Sequence, residues 1–162
     1  MKKAMDWSRL VNQSMAMVSD TKKPPFEGTE DALRLAREKA DIVILTAANR
    51  REINKEWEVF ELAQYTDLLM SQENGRKEEC LNELLEKGYE KDHVLMVGDA
   101  PADLAAAQAA GVLFYPILAY QERESWENFS DALDHFTNGD YAGSYQEERI
   151  KEFQENLHIE IK

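Results

Sequence analysis

Four side chains, Thr46, Lys77, Asp99 and Asp103, have the types and settings to grip a phosphate together with a hard cation. Asp99 and Asp103 offer carboxylate oxygens to magnesium, which prefers a few carboxylates completed by water and phosphate oxygens. Thr46 can donate its hydroxyl to a phosphoryl oxygen, with the Ala47 amide and the Asn49 side chain close by in sequence to supplement it. Lys77 can offset negative charge on the phosphoryl group and on a reacting carboxylate. Gly98 permits a close backbone approach where the chain is crowded. Each residue alone has an ordinary structural role: a turn for Thr46, a solvated cation for Lys77, a helix-start carboxylate for each aspartate. Their order along the chain is what carries information.

The elements that must position them are legible from hydropathy. Ile42-Val43-Ile44-Leu45 and Val94-Leu95-Met96-Val97 are apolar runs without alternation, the pattern of strands covered on both faces of a parallel sheet. Thr46 follows the first run and Asp99 the second. A weaker strand is expected at Leu68–Met70 and a fourth over Val112–Ile117. Four helices are expected with them, one before the first strand and three between the strands. One is capped by Thr29 with the stripe Ala32, Leu33, Ala36 and Ala40, and one is capped by Asn49 and runs through Trp57 and Leu62. One spans about 76–87 and stops at Gly88, and an alanine-rich helix opens at Pro101 and stops at Gly111. Such alternation predicts a doubly wound α/β sheet, whose ligands gather at the carboxyl ends of the strands. Two acidic amphipathic helices are expected beyond it, about 123–137 and 145–157. Apolar residues at roughly helical spacing predict another helix over 5–19, before the break at Pro24-Pro25.

The totals set outer bounds. With 162 residues the chain is long enough for one domain with a real core. A net charge of -13 argues against a nucleic-acid partner, which needs clustered Lys and Arg. The single cysteine, Cys80, forms no internal disulfide and fits a helix interior in a reducing compartment. Asp6, Arg9, Asn12 and Gln13 interrupt the N-terminal stretch, so neither a secretory signal nor a membrane span is expected and the cytoplasm is the default.

The motifs then become specific. Val43-Ile44-Leu45-Thr46, Gly75-Arg76-Lys77 and Val97-Gly98-Asp99-Ala100-Pro101-Ala102-Asp103 resemble motifs two, three and four of the haloacid dehalogenase superfamily. Residues 104–111 resemble the helix that follows motif four there, and Pro25–Gly28 the segment that re-enters the core after a cap insertion. The resemblance implies a Rossmann-like core and magnesium-dependent hydrolysis of a small phosphorylated metabolite through an aspartyl-phosphate. It implies that Thr46 holds the phosphoryl group, that Lys77 offsets charge, and that Asp99 and Asp103 position Mg2+. The implied division is a residual cap or linker helix over 1–23, the core over 24–118 and a helical extension over 119–162.

One part of the pattern is missing. The family carries its nucleophile and general acid in an Asp-x-Asp after its first, central strand, and no Asp-x-Asp occurs in this sequence. The nearest imitation, Met15–Lys22, has a lysine where the second aspartate belongs. Truncation or gene splitting is the favoured explanation, and the chain as written is expected to be inactive. The alternatives are a non-catalytic module that binds phosphate or metal, with a homodimer or a separate N-terminal fragment closing the sheet, or an unrelated doubly wound domain.

Overall fold

In the computed structural model the described residues are 24–158, so the helix expected over 5–19 lies outside them. Among the described residues four strands are present: β1 (Val43–Leu45), β2 (Leu68–Met70), β3 (Leu95–Gly98) and β4 (Leu113–Pro116). Seven α-helices accompany them: α1 (Thr29–Arg37), α2 (Arg50–Val59), α3 (Lys77–Glu86), α4 (Pro101–Ala110), α5 (Glu122–Glu127), α6 (Phe129–Asn138) and α7 (Ser144–Asn156). Each link between successive strands passes through a helix, the crossover that parallel strands require.

The strands do not form one sheet. β1 pairs in parallel with β2, with Val43 opposite Leu68, and β3 pairs in parallel with β4, with Leu95 opposite Leu113. Among the described residues no strand joins the two pairs. Helices connect them instead. From α3, Cys80 and Leu84 pack beside Val43, Leu45 and Met70, while Leu81 belongs to the cluster of Met96, Leu104, Ala107 and Phe114. In a second cluster, α1 contributes Ala32 and Ala36 beside Leu113 and Tyr115, and Ile42 packs against it. The α/β architecture with parallel strands is thus present as an interrupted Rossmann-like core.

The local devices explain most boundaries. Asn49 accepts the Glu52 amide at 2.9 Å and starts α2. Gly111, at φ 74°, ends α4 in the left-handed region where a side chain would be strained. At the start of α1 the cap position belongs to Gly28, at φ 89°, and Thr29 is already helical. A Cβ on Gly28 would lie 3.0 Å from Trp126 Cβ, so the C-terminal extension presses on this turn. The helix expected to run through Leu62 ends at Val59, because Glu61 turns to φ 57° and a 3₁₀ turn over Leu62–Tyr65 follows.

The helix expected over 123–137 is broken at Asn128 into α5 and α6. Tyr115 donates its hydroxyl to the Ser125 carbonyl at 2.6 Å, the carbonyl that a continuous helix would offer to the Phe129 amide. The Ser125 hydroxyl meanwhile donates to the Gln121 carbonyl and accepts the Leu118 amide. Docking onto β4 therefore takes precedence over helix continuity.

The extension also closes the outer edge of β4. The Phe114 amide donates to Gln146 Oε1 at 2.9 Å, and its carbonyl accepts the Tyr141 hydroxyl at 2.8 Å. Asn156 bonds both the amide and the carbonyl of Ala119. Phe153, wholly buried, stacks obliquely on Phe114 with ring centroids 5.5 Å apart. Among the described residues no helix is long and apolar enough to cross a membrane.

Candidate functional site

The site forms where β1, β2 and β3 end. Asp103, in the first turn of α4, is buried, its side chain 4% exposed. Its Oδ1 is paired with Lys77 Nζ, and its Oδ2 accepts the Ala100 amide at 3.1 Å. A buried carboxylate is tolerable only when paired and hydrogen-bonded, and both conditions hold here. Lys77 is the first residue of α3, so the Lys77–Asp103 pair ties the helix after β2 to the helix after β3. Pro101, at the first helical position of α4, fixes the turn that aims Asp103 inward.

Gly98 is required by this packing. A Cβ there would lie 2.5 Å from both Cβ and Oδ2 of Asp103, a separation real atoms do not adopt. The absence of a side chain at position 98 is what lets Asp103 lie against the end of β3. Asp99, the next residue, is exposed, and no hydrogen bond to its carboxylate occurs among the described residues.

Across the site, Thr46 leaves β1 with its amide bonded to the Met70 carbonyl at 3.0 Å. Its Oγ1 accepts the Ala48 amide at 3.1 Å, which leaves the hydroxyl hydrogen to be donated elsewhere. Ala47 is exposed on the same turn. Asn49 uses its side-chain oxygen to cap α2, so its amide nitrogen is the part available to a ligand.

A set of residues outside the motifs fastens the loop after β1 to the loop after β2. The Gln72 amide donates to the Ala48 carbonyl at 3.1 Å. Asn74 Oδ1 accepts both the Ser71 amide and Arg50 Nη2, and Arg50 Nη2 also reaches the Leu69 carbonyl. Ser71 donates its hydroxyl to Glu73, and that bond, with Glu73's own amide next, holds the Glu73 carboxyl below the usual range. Sequence reasoning missed Arg50, Ser71, Glu73 and Asn74. The Ser-x-x-Asn spacing at 71–74 is the one signal that could have pointed to them.

The structure thus brings Lys77, Asp103, Gly98 and Ala100 into direct contact. It sets Thr46, Ala47 and Asn49 on the neighbouring loop and Asp99 on the loop from β3 to α4. No hydrogen bond joins Thr46 or Asp99 to Lys77. The donor set suits a hard cation: Asp99 offers carboxylate oxygens that no described residue engages, while Asp103 is paired with Lys77.

Residues 1–117 match the family described as haloacid dehalogenase-like hydrolase. That span is most of the chain. The chain belongs to the haloacid dehalogenase-like hydrolase family. No curated protein matches it. Among solved structures it is similar to a haloacid dehalogenase superfamily hydrolase, subfamily IA, variant 1, from Geobacter sulfurreducens PCA. The two are 25% identical with a TM-score of 0.49, over 56% of this chain and 49% of the other. This family member therefore spans about half the length of that relative.

Proposed function

We propose that this chain is the phosphate- and magnesium-holding part of a phosphate-ester hydrolase, inactive without a nucleophilic aspartate from outside the sequence. The observation that carries the reading is the pairing of buried Asp103 with half-buried Lys77 against Gly98 where β3 ends, with Asp99 exposed at the next position in sequence. Asp103 has one oxygen on Lys77 and the other on the Ala100 amide, so it serves chiefly to hold the lysine. Asp99 is the charged ligand for Mg2+, and Thr46 donates its free hydroxyl hydrogen to a phosphoryl oxygen. Ala47 and Asn49 supplement Thr46 through an amide and a side-chain NH2. A bound magnesium ion would supply charge neutralisation for phosphate oxygens. The substrate class is a small phosphorylated metabolite.

Without an Asp-x-Asp the purified chain is expected to release phosphate from aryl phosphates at no more than background. Loss of a nucleophile costs about 10⁶ in turnover in a well-studied hydrolase. Brisk magnesium-dependent release would refute this. Binding should nevertheless survive: magnesium with inorganic phosphate should raise the melting temperature, by about 2.7 kcal/mol in stability at a hundredfold excess over Kd. Asp99→Asn should remove that gain. An equal shift in mutant and parent would take Asp99 out of the metal site.

A further inference from the structure

Away from the motifs, a cavity of about 380 Å³ opens at the carboxyl end of β4. The alternation of β4 sets its walls. Leu113, Tyr115 and Ile117 turn to the cluster that holds Phe129 and Leu133 of α6, while Phe114 turns to the cluster that holds Phe153 of α7. The C-terminal extension therefore packs on both faces of one strand, and α5 and α7 line the cavity together with Tyr115, Pro116 and Leu118. Ligands of open α/β sheets gather at such strand ends. Apart from Tyr115 and Pro116, every lining residue lies beyond 117, outside the span that matches the family. Two lining side chains are engaged with backbone: the Ser125 hydroxyl with Leu118 and Gln121, and the Asn156 amide with Ala119. From α5 and its ends, Gln121, Glu124 and Asn128 have no side-chain hydrogen bond among the described residues.

From α7, Arg149 donates through Nη2 to Glu152 at 3.1 Å, and its Cζ lies 5.3 Å from the centroid of the Tyr145 ring. These contacts hold the guanidinium in one orientation. Its Nη1 has no partner among the described residues, and its Nε, buried, has none either. A half-buried guanidinium with donors left over favours an acceptor from outside, and a carboxylate matches it in shape and charge. The other charges in the lining are Glu124, Glu152 and Glu155. Glu152 and Glu155 have cations of their own in Arg149 and Lys151, whereas no described residue pairs with Glu124. Three carboxylates against one guanidinium disfavour a purely anionic ligand, and a purely cationic one leaves the Arg149 donors without an acceptor. We propose that the cavity binds a basic α-amino acid, with its carboxylate on Arg149 and its side-chain cation on Glu124. Gln121 and Asn128 offer neutral amides to the groups between. Phosphate and magnesium have no part in this site.

Calorimetric titration of the full 162-residue chain with three probes of similar length tests it. L-lysine carries both charged ends, cadaverine lacks the carboxylate, and L-norleucine lacks the side-chain ammonium. Lysine should bind at least about tenfold more tightly than either, the worth of one charge-assisted hydrogen bond. Glu124→Gln should erase the preference for lysine over norleucine and leave that over cadaverine; Arg149→Gln should do the reverse. Glu124 is exposed, so its variant keeps the test open even where Arg149→Gln fails to fold. Glu147→Gln, on an exposed residue of α7 outside the cavity, removes the same charge and should change neither preference. Three results would overturn the proposal: no lysine binding by the parent chain, cadaverine or norleucine binding as tightly as lysine, or a preference that survives removal of the residue assigned to it. None of these bears on phosphate and magnesium binding at Thr46, Lys77 and Asp99, which its own thermal shift judges.

Discussion

The half built on β3 and β4 and the half built on β1 and β2 have the same topology and different endowments. All four residues of β4 are buried, and so are five residues of α4 and, from the extension, Phe129, Ala132, Leu133, Tyr141 and Phe153. In β1 no residue is fully buried, and α2 has none either. The extension accounts for the contrast: it covers β4 with aromatic side chains and satisfies its edge, whereas β1 has a helix layer but, among the described residues, no inner neighbour. A parallel strand that reads as doubly buried becomes so only when both neighbours are present. Secondary structure is therefore repeated across this molecule, while burial among the described residues is concentrated on one side.

Three measurements can break or sharpen that contrast. Phe153→Ala should cost about 3–5 kcal/mol, because it empties a wholly buried site against Phe114. A loss under about 1 kcal/mol by urea denaturation would show that the extension is not integral to the stable half.

Alkaline pH acts on the same half with a somewhat smaller effect. Burial pushes the Tyr115 hydroxyl up to about 12, and burial first of all also raises Tyr141 and Tyr145. Folding favours the neutral phenol, so this contribution is complete below the ordinary value of about 10 and is lost as pH rises through the folded value. The melting temperature should fall between about pH 10 and pH 12, by roughly 2 kcal/mol in stability for Tyr115. Tyrosinate absorbance appearing before unfolding would contradict the burial.

Ile53→Ala, on the half-buried face of α2, should cost about 1 kcal/mol or less. A loss as large as that of Phe153→Ala would erase the difference between the halves.

The site was legible where it depends on local order. Pro101 before Asp103, Gly98 before Asp99 and Lys77 at a helix start all follow from types and spacing, and the Lys77–Asp103 pair ties two of the motifs together. The Arg50–Asn74 and Ser71–Glu73 bonds were not legible, because ordinary polar residues gain a role only when two loops are brought side by side. The same reason hid the partner of Asp103: only the fold brings it to Lys77, a residue 26 positions away.

By itself the sequence determined the strands, the helices and their alternation, since those follow from hydropathy period, caps and breakers acting within a few residues. Only the tertiary structure decided that the described strands pair two by two, that α5 and α6 break at Asn128, and that the outer edge of β4 is closed by side chains. Edge pairing and helix docking depend on groups far apart in the chain, as when Tyr115 takes the Ser125 carbonyl or Tyr141 reaches Phe114, and no local pattern encodes those meetings.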